Sequence, residues 1–256
     1  MKRLSLFALV LAAIVGLCVL APAQDAQSED VPTISFGSDC TWPPMEFVDT
    51  DHNFVGFSID LLMAMEATGT FKADINNVAW DNIFAGLAAG QYDCINSSVS
   101  ITEERQETMD FSDPYFEVKQ GVITAQGAGI TSVEDLAGKV AGAQLGTTGY
   151  FAIEAIEGAE AKSYDEIGLA VEDLYNGNLD AVICDDAVAF DFALQNEKYS
   201  QTLTLAFLIE SDTPEYLGWA VQKGDPNGVL PILNEALAAV KASGQYDEIF
   251  AKWFNQ

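Results

Sequence analysis

The sequence predicts an α/β architecture, and three observations lead to this prediction. Short runs of β-branched and apolar residues alternate with amphipathic stretches long enough for helices. Clusters of Ser, Thr, Gly and Asp follow several of the strand-like runs, where open α/β sheets bind ligands. The 256-residue chain offers enough core for one large domain or for two small lobes.

The first elements are bounded by capping and turn residues. Strands are predicted at Thr33–Gly37 and Phe54–Phe57. Ser58 can cap a helix that runs to about Thr68 and closes at Gly69. A polar turn separates the second strand from the first, so the segment begins as strand, turn, strand and helix.

The next elements repeat this pattern. Asp81 can cap a second helix that stops near Gly90 and carries its apolar residues on one face. A strand follows at Asp93–Val99, and a further helix begins near Thr102. The alternation of strand and helix therefore continues, as an α/β sheet requires.

The remaining elements extend to the end of the chain. Further strands are predicted at Gly121–Ala125, Lys139–Gln144, Leu179–Cys184 and Leu217–Gln222. Helices are predicted after the turn Gly146–Gly149, at Val171–Asn176, from Asp185-Asp186 onward, and twice within Leu230–Phe254 with a break at Ser243-Gly244.

The start of the chain is typical of a secretory signal. Two basic residues precede an uncharged apolar run over residues 4–20, and Ala-Pro-Ala follows at 21–23. We predict a signal peptide over residues 1–23, a disordered leader over 24–30 and an extracytoplasmic, periplasmic location. The apolar run is also long enough to leave open an uncleaved anchor.

The charge of the chain restricts its partners. It carries 39 acidic and 11 basic residues, a formal net charge of −28. Such a surface repels nucleic acid and anionic lipid, and both are excluded as partners. No later segment is long and apolar enough to cross a membrane.

The residues that commonly hold metals or perform catalysis are sparse. Cys40, Cys94 and Cys184 have no metal-like spacing, and buried free thiols are expected. The only histidine, His52, lies in the run 49–53, which begins like a calcium loop but lacks the required glycine and is predicted to be a hairpin turn. We expect no metal, no cofactor and no histidine-based catalytic site.

Four polar clusters fall at the carboxyl ends of predicted strands, or just beyond them. They are Ser38-Asp39, Ser97 to Ser100, Gly146 to Thr148, and Asp185. Each could be ordinary turn chemistry, but four at equivalent positions are better explained by one ligand-binding cleft.

Arg105 is the only arginine outside the predicted signal. Its planar fork matches a carboxylate, and it follows the helix cap Thr102 by three residues. The alternative is a surface ion pair with Glu103 or Glu104, which would contribute little. We favour a carboxylate site at Arg105.

Asp185 offers the complementary charge. A carboxylate at a strand end can hold an ammonium group, whereas Asp186 is expected to cap the following helix. The Gly146–Gly149 turn lacks the lysine of a Walker A motif, so it predicts a carboxylate contact better than a phosphate loop.

Trp42 and Trp80 are the aromatic candidates. Each lies beside an acidic residue, Asp39 or Asp81. Both could belong to the core, the more common fate of tryptophan. If they face the cleft, they could enclose a ligand side chain, with cation–π attraction for a basic one.

Several segments together resemble one family. GSDCTWPPMEF, FVGFSIDLL, the segment from Ser100 to Tyr115, GAQLGTTGYF, LDAVICDD and the closing GQYDEIFAKWF occur in order. In this order the chain resembles the bacterial extracellular solute-binding proteins of family 3, the amino-acid receptors of ABC importers. The resemblance implies a type II periplasmic-binding-protein fold, in which two lobes, each a mixed sheet flanked by helices, are joined by two hinge strands. Lobe 1 would comprise 31–118 plus 213–256, and lobe 2 would comprise 119–212.

The resemblance also implies roles for individual residues. Arg105, Ser100 and Thr148 would hold the ligand carboxylate, and Asp185 with Ser98 would hold its ammonium group. Side-chain contacts are expected from Asp39, Trp42, Trp80, Ser97 and Gln144. Gly149 and Asn96 depart from the family's usual residues.

The implied function is capture of a polar L-amino acid, basic or glutamine, by hinge closure for an ABC permease. The protein would act as a monomer and not as an enzyme. Two alternatives are a secreted dehydratase like the cyclohexadienyl and arogenate dehydratases on the same fold, and the soluble ligand-binding module of a sensor.

Overall fold

The computed structural model describes residues 31–254. The predicted signal peptide and the segment 24–30 lie outside the described residues. The strands are β1 Thr33–Ser38, β2 Thr41–Trp42, β3 Glu46–Val48, β4 Phe54–Val55, β5 Lys72–Asn77, β6 Cys94–Ser100, β7 Met109–Phe111, β8 Phe116–Val118, β9 Gln120–Ala125, β10 Val140–Gln144, β11 Glu160–Tyr164, β12 Ala181–Asp185, β13 Leu203–Ile209 and β14 Glu215–Gln222. The α-helices are α1 Phe57–Glu66, α2 Trp80–Ala88, α3 Glu103–Thr108, α4 Thr148–Ala155, α5 Ile167–Tyr175, α6 Asp186–Phe190, α7 Val229–Ser243 and α8 Gln245–Phe254.

Two larger sheets organise these elements. The first has the order β5-β1-β6-β14-β7, with β8 also paired to β14, and the second has the order β11-β10-β12-β9-β13. In both, parallel strands are followed by antiparallel ones, and the chain passes between the sheets twice, from β8 to β9 and from β13 to β14. The predicted α/β fold with mixed sheets and flanking helices is confirmed. From Val31 onward the chain forms one compact unit, so the lobe boundaries stay a prediction.

Apolar side chains hold the helices against the sheets. Trp219 of β14 is fully buried, and Phe57 at the start of α1 is surrounded by Phe116 and by aromatic rings of α8. The second sheet has its own core, which includes Ile153 and Ile183. The carboxyl ends of the central strands are thereby held rigidly enough to position a site.

Three predicted helix caps are wrong. Ser58 lies inside α1, because the N–H groups of Phe57 and Ser58 already donate to backbone carbonyls of residues 44 and 45. Asp81 lies in the first turn of α2, after the N-cap Ala79, and forms no capping bond. Asp186 is the first residue of α6, after the N-cap Asp185.

Other local predictions are confirmed. The hydroxyl of Thr102 accepts the Arg105 N–H at the start of α3, and Gly244 separates the last two helices with a φ of 83°. The run 49–53 joins the antiparallel strands β3 and β4, and Asp49 accepts backbone N–H groups within the turn.

The expected chemistry of the thiols is also found. Cys40, Cys94 and Cys184 are free and buried, and burial raises the pKa of each. Among residues 31–254, no group of three or more His, Cys, Asp or Glu side chains could hold a metal ion. No helix within this range is long and apolar enough to span a membrane.

Candidate functional site

A small enclosed cavity lies where the carboxyl ends of strands from both large sheets meet. Its lining contains all ten residues predicted from the sequence, together with Thr147: Asp39, Trp42, Trp80, Ser97, Ser98, Ser100, Arg105, Gln144, Thr148 and Asp185. The structure thus brings the candidates together from segments up to 146 residues apart, and their contacts with a ligand stay a prediction.

Ser97, Ser98 and Ser100 all lie within β6. The sequence had suggested a cluster at the end of this strand or just beyond it. The Ser97 hydroxyl accepts the backbone N–H of Asp39 at 2.9 Å, which ties the end of β1 to β6. Ser98 has a positive φ of 45°, and its hydroxyl donates to buried Glu46 at 2.9 Å. Ser98 is therefore held by an internal bond at the edge of the cavity.

Arg105 extends from α3 towards the second sheet. Its Nη1 donates to the carbonyl of Ser100 at 3.0 Å and its Nη2 donates to the carbonyl of Gly146 at 3.1 Å. Within the described residues it forms no ion pair, so the predicted alternative of a surface pair with Glu103 or Glu104 is not found. Burial lowers the pKa of Arg105, and the charges of Glu215, Asp185 and Glu104 oppose this shift.

Two aromatic rings flank the guanidinium. Its central carbon lies 5.6 Å from the Trp80 ring and 5.3 Å from the Phe84 ring, within cation–π range. Trp80 therefore orients Arg105, a role that the sequence did not predict. An anion that binds the free edge of the fork would meet a preoriented group.

Asp185 is the last residue of β12 and is only 4% exposed. Its Oδ2 accepts the Trp42 indole N–H at 3.2 Å, and its Oδ1 accepts the Gln120 amide at 3.0 Å. Burial, and after it the charge of Glu215, raises the pKa of Asp185 to about 7. Although Asp185 occupies the N-cap position of α6, its side chain points to the cavity and makes no capping bond.

Asp39 stands on the opposite side of the cavity. It accepts hydrogen bonds from Gln144 at 2.9 Å and from Thr41 at 2.8 Å. Burial raises the pKa of Asp39, and these two hydrogen bonds and one from the Trp80 backbone oppose the shift. The carboxylate is thus positioned to receive a donor from a ligand side chain.

Several of these bonds join residues of the segment 39–105 to residues of the segment 144–185. Arg105 reaches Gly146, Gln144 reaches Asp39, and Trp42 reaches Asp185. Hydroxyl oxygens of Ser100 and Thr148 lie 3.4 Å apart. The cavity therefore offers one half-buried cation, two buried carboxylates and several hydroxyls, a set that complements a zwitterion.

Sequence reasoning missed three residues beside the cavity. Thr147 belongs to the predicted polar cluster Gly146 to Thr148 but received no role of its own there, and it caps α4 by accepting the Tyr150 N–H. Glu46 is fully buried, and burial raises its pKa well above the ordinary value. The amide nitrogen of Gln120 lies within hydrogen-bond distance of Asp185, Thr148 and Glu215, and no local signal marks this residue.

The two departures from the family pattern have structural explanations. Asn96 faces the core and not the cavity, since it accepts the indole N–H of Trp219 at 2.8 Å. Gly149 lies where a Cβ atom would come within 2.7 Å of the Ile183 carbonyl and 3.0 Å of the Gln120 side chain. Gln120 thus occupies space that a larger residue at 149 would need.

We predict that Gly149→Ala destabilises the protein by about 1–3 kcal/mol, because the backbone of β12 must shift. Gly168→Ala is a matched control, since Gly168 is also the second residue of a helix and its Cβ would meet only Phe192 at 3.9 Å. It should be neutral or stabilising by up to about 1 kcal/mol. Urea unfolding of both variants measures the difference, and equal free energies of unfolding would contradict the prediction.

Comparisons with known proteins place this chain among proteins of one family. The family model described as "Bacterial extracellular solute-binding proteins, family 3" matches residues 34–256. A probable histidine-binding protein of Neisseria gonorrhoeae is 36% identical over 222 residues, which span 85% of this chain and 81% of the relative.

Two further comparisons extend this similarity. ABC transporter arginine-binding protein 1 of Escherichia coli is 34% identical over 229 residues, which span 87% of this chain and 91% of that protein. The solved structure of an ancestral arginine-binding protein bound to arginine matches with a TM-score of 0.80 and 36% identity, covering 87% of this chain and 98% of the other.

Proposed function

Because this chain belongs to the bacterial extracellular solute-binding proteins of family 3, we propose that it captures an amino acid outside the cytoplasm and delivers it to an ABC transporter permease. The observation that carries this proposal is that Arg105, on α3 after the first sheet's β6, and Asp185, at the end of β12 in the second sheet, line one cavity. An amino acid carries both a carboxylate and an ammonium group, so one molecule can satisfy both residues.

Arg105 holds the ligand carboxylate in this proposal, and Ser100 and Thr148 assist it. The guanidinium is already oriented by two carbonyls and two rings, so little ordering remains when the anion binds. Asp185, with Ser98 beside it, holds the ammonium group. Each charge-assisted hydrogen bond contributes about 1.5–3 kcal/mol, and several of them suffice for micromolar affinity.

The ligand side chain extends towards Asp39. Asp39, Gln144 and Ser97 line this part of the cavity, together with Trp42 and Trp80. A buried carboxylate favours a side chain that donates hydrogen bonds or carries positive charge. Two of the relatives are named for arginine and histidine, which supports a basic amino acid, with glutamine as the second choice.

Hinge closure couples binding to recognition by the permease. The two crossings between the sheets, β8 to β9 and β13 to β14, are the hinge strands, and lobes 31–118 plus 213–256 and 119–212 rotate about them. In the open form the hydrogen bonds from Arg105 to Gly146, from Gln144 to Asp39 and from Trp42 to Asp185 break. A ligand that bridges Arg105 and Asp185 favours the closed form, because only that form satisfies both of its charges.

A thermal-shift screen against the twenty amino acids tests the function. We expect arginine or histidine to raise the melting temperature most, since a ligand at 1,000 times its Kd stabilises the folded state by about 4 kcal/mol. Nucleic acid should produce no shift, and size-exclusion chromatography should show a monomer. If no amino acid raises the melting temperature, the proposed function is wrong.

The enzyme alternative is the second candidate on this fold. The relatives described above are binding proteins, which favours a receptor over an enzyme. Incubation with prephenate and arogenate discriminates between the two, because a dehydratase would release an aromatic product. We expect no product, and sustained turnover would replace the receptor assignment with the enzyme.

A further inference from the structure

Glu215 adds an unexpected carboxylate to the ammonium side of the cavity. It is the first residue of β14, at the end of the second crossing between the sheets. Its Oε2 lies 3.1 Å from the Gln120 amide nitrogen, and its Oε1 is buried without a hydrogen-bond partner. A buried carboxylate oxygen without a donor is costly, and it calls for an explanation.

Gln120 connects Glu215 to Asp185. Gln120 and Asp185 are directly opposite each other in the antiparallel pairing of β9 and β12, so their side chains lie on the same face of the sheet. The Gln120 amide nitrogen is 3.0 Å from Asp185 Oδ1, 3.1 Å from Glu215 Oε2 and 3.1 Å from Thr148 Oγ1. One nitrogen therefore lies among three oxygen acceptors, two of them on carboxylates.

This arrangement has more acceptors than donors. An amide nitrogen carries two hydrogens, so it cannot donate to all three oxygens at once. Two carboxylates around one neutral donor also repel each other, and a shared proton relieves the repulsion. An ammonium group, with three N–H donors and a positive charge, satisfies the same set of oxygens.

We propose that Glu215 is a second carboxylate of the ammonium subsite and that its charge helps Asp185 to retain a proton, which leaves the protein when the ammonium group of the amino acid binds. This inference rests on the proposed function. It adds to that function a residue that no sequence motif marks, and the release of a proton when the ligand binds.

The surroundings of the pair are consistent with a retained proton. The groups that act electrostatically with Asp185 or Glu215 are Arg105, Glu46, Tyr115, Cys184 and Asp186. Arg105 is the one cation among them, and the other four are acidic groups or neutral at ordinary pH. Burial first, and then the charge of Glu215, brings the pKa of Asp185 to about 7.

The direction of the pH dependence follows from this balance. In the ligand-free protein Asp185 holds a proton below about pH 7, whereas the ligand's positive charge lowers the pKa of Asp185 in the complex. Affinity should therefore be full above pH 7 and should fall as the pH decreases, by up to about tenfold per pH unit. Binding at pH 6 should release about one proton.

Glu215→Gln tests the inference, and Glu210→Gln is the matched control. Glu210 belongs to the same crossing, but its side chain is 80% exposed and pairs with Lys119. Isothermal calorimetry in buffers of different ionisation enthalpy measures the proton release, with the amino acid that gives the largest thermal shift as the ligand. We expect Glu215→Gln to weaken binding at pH 8 by about tenfold or more and to reduce the proton release at pH 6, because the charge of Glu215 is the second cause, after burial, of the raised pKa of Asp185.

A measurement without ligand separates this inference from the proposed function. In carboxyl-carbon NMR titrations of the ligand-free protein, Glu215→Gln should lower the titration midpoint of Asp185, which an Asp185→Asn sample assigns. The melting temperature of each variant confirms folding. If Glu215→Gln matches Glu210→Gln in midpoint, proton release and affinity, the inference is wrong, even where amino-acid binding itself is intact.

Discussion

Arg105→Ala should abolish amino-acid binding and leave the protein folded. The change removes two or more charge-assisted hydrogen bonds to the ligand carboxylate, each contributing about 1.5–3 kcal/mol. The expected loss of affinity is therefore about a hundredfold to ten-thousandfold. Arg105 is half-buried and its own hydrogen bonds are to backbone carbonyls, so its removal breaks no ion pair among the described residues. Calorimetry and circular dichroism measure the two effects.

Two further variants make the result specific. Arg105→Lys keeps the positive charge but loses the planar fork, and it should recover only part of the affinity. Lys139→Ala removes an exposed cation that lies 3.6 Å from Asp180 at the surface, and it should bind normally. Near-normal affinity in Arg105→Ala would refute the carboxylate site.

Trp219→Ala should have the largest effect on stability. The side chain is fully buried in β14, its ring centroid lies 4.4 Å from that of Tyr115, and its indole N–H donates to Asn96 at 2.8 Å. Removal of a large buried aromatic side chain costs about 3–5 kcal/mol. Asn96 also loses the donor to its carbonyl oxygen, while its amide nitrogen already has no partner. Urea unfolding measures the loss.

Trp219→Phe separates packing from hydrogen bonding. It keeps a ring against Tyr115 but removes the N–H, and we expect a smaller loss of about 1–3 kcal/mol. Phe151→Ala, at an aromatic residue that is 47% exposed, should change the free energy of unfolding by less than about 0.5 kcal/mol. If Trp219→Ala loses no more than Phe151→Ala, the assigned core of the first sheet is wrong.

The sequence indicated the central strands well and the edge strands poorly. β6 and β12 are buried along their whole length, so they appear as runs of apolar and small residues. β5 and β11 lie at the edges of the two sheets, where most of their residues are exposed or half-buried, and both were missed. An edge strand is held by backbone pairing, which polar sequences such as KADINN can supply without an apolar pattern.

Local capping signals were less reliable than the strand pattern. Thr102 caps α3 as predicted, since no other acceptor reaches the Arg105 N–H. Ser58 looks equally suitable in the sequence, but the backbone carbonyls of a neighbouring turn satisfy the first N–H groups of α1. A suitable side chain can therefore cap a helix, but whether it does so depends on the other acceptors that the folded chain brings to the first N–H groups.

The sequence by itself determined which residues assemble at the site. An α/β chain brings the carboxyl ends of its central strands together, so polar residues at those ends converge whatever the details of packing. The ten residues predicted from these strand ends, from the lone Arg105 and from the family resemblance all line one cavity.

Only the tertiary structure decided how those residues are satisfied. Gln120 contacts Asp185, which is 65 positions away in the chain, and Glu215, which is 95 positions away. No local sequence pattern predicts either contact. The same holds for Trp80, which flanks Arg105, and for Asn96, which bonds Trp219 in the core. The physical reason is that the covalent order of the chain sets which groups each strand end carries. The hydrogen bonds and the pKa values of the site side chains depend on distances of about 3 Å, which arise only when strands distant in the chain pack together.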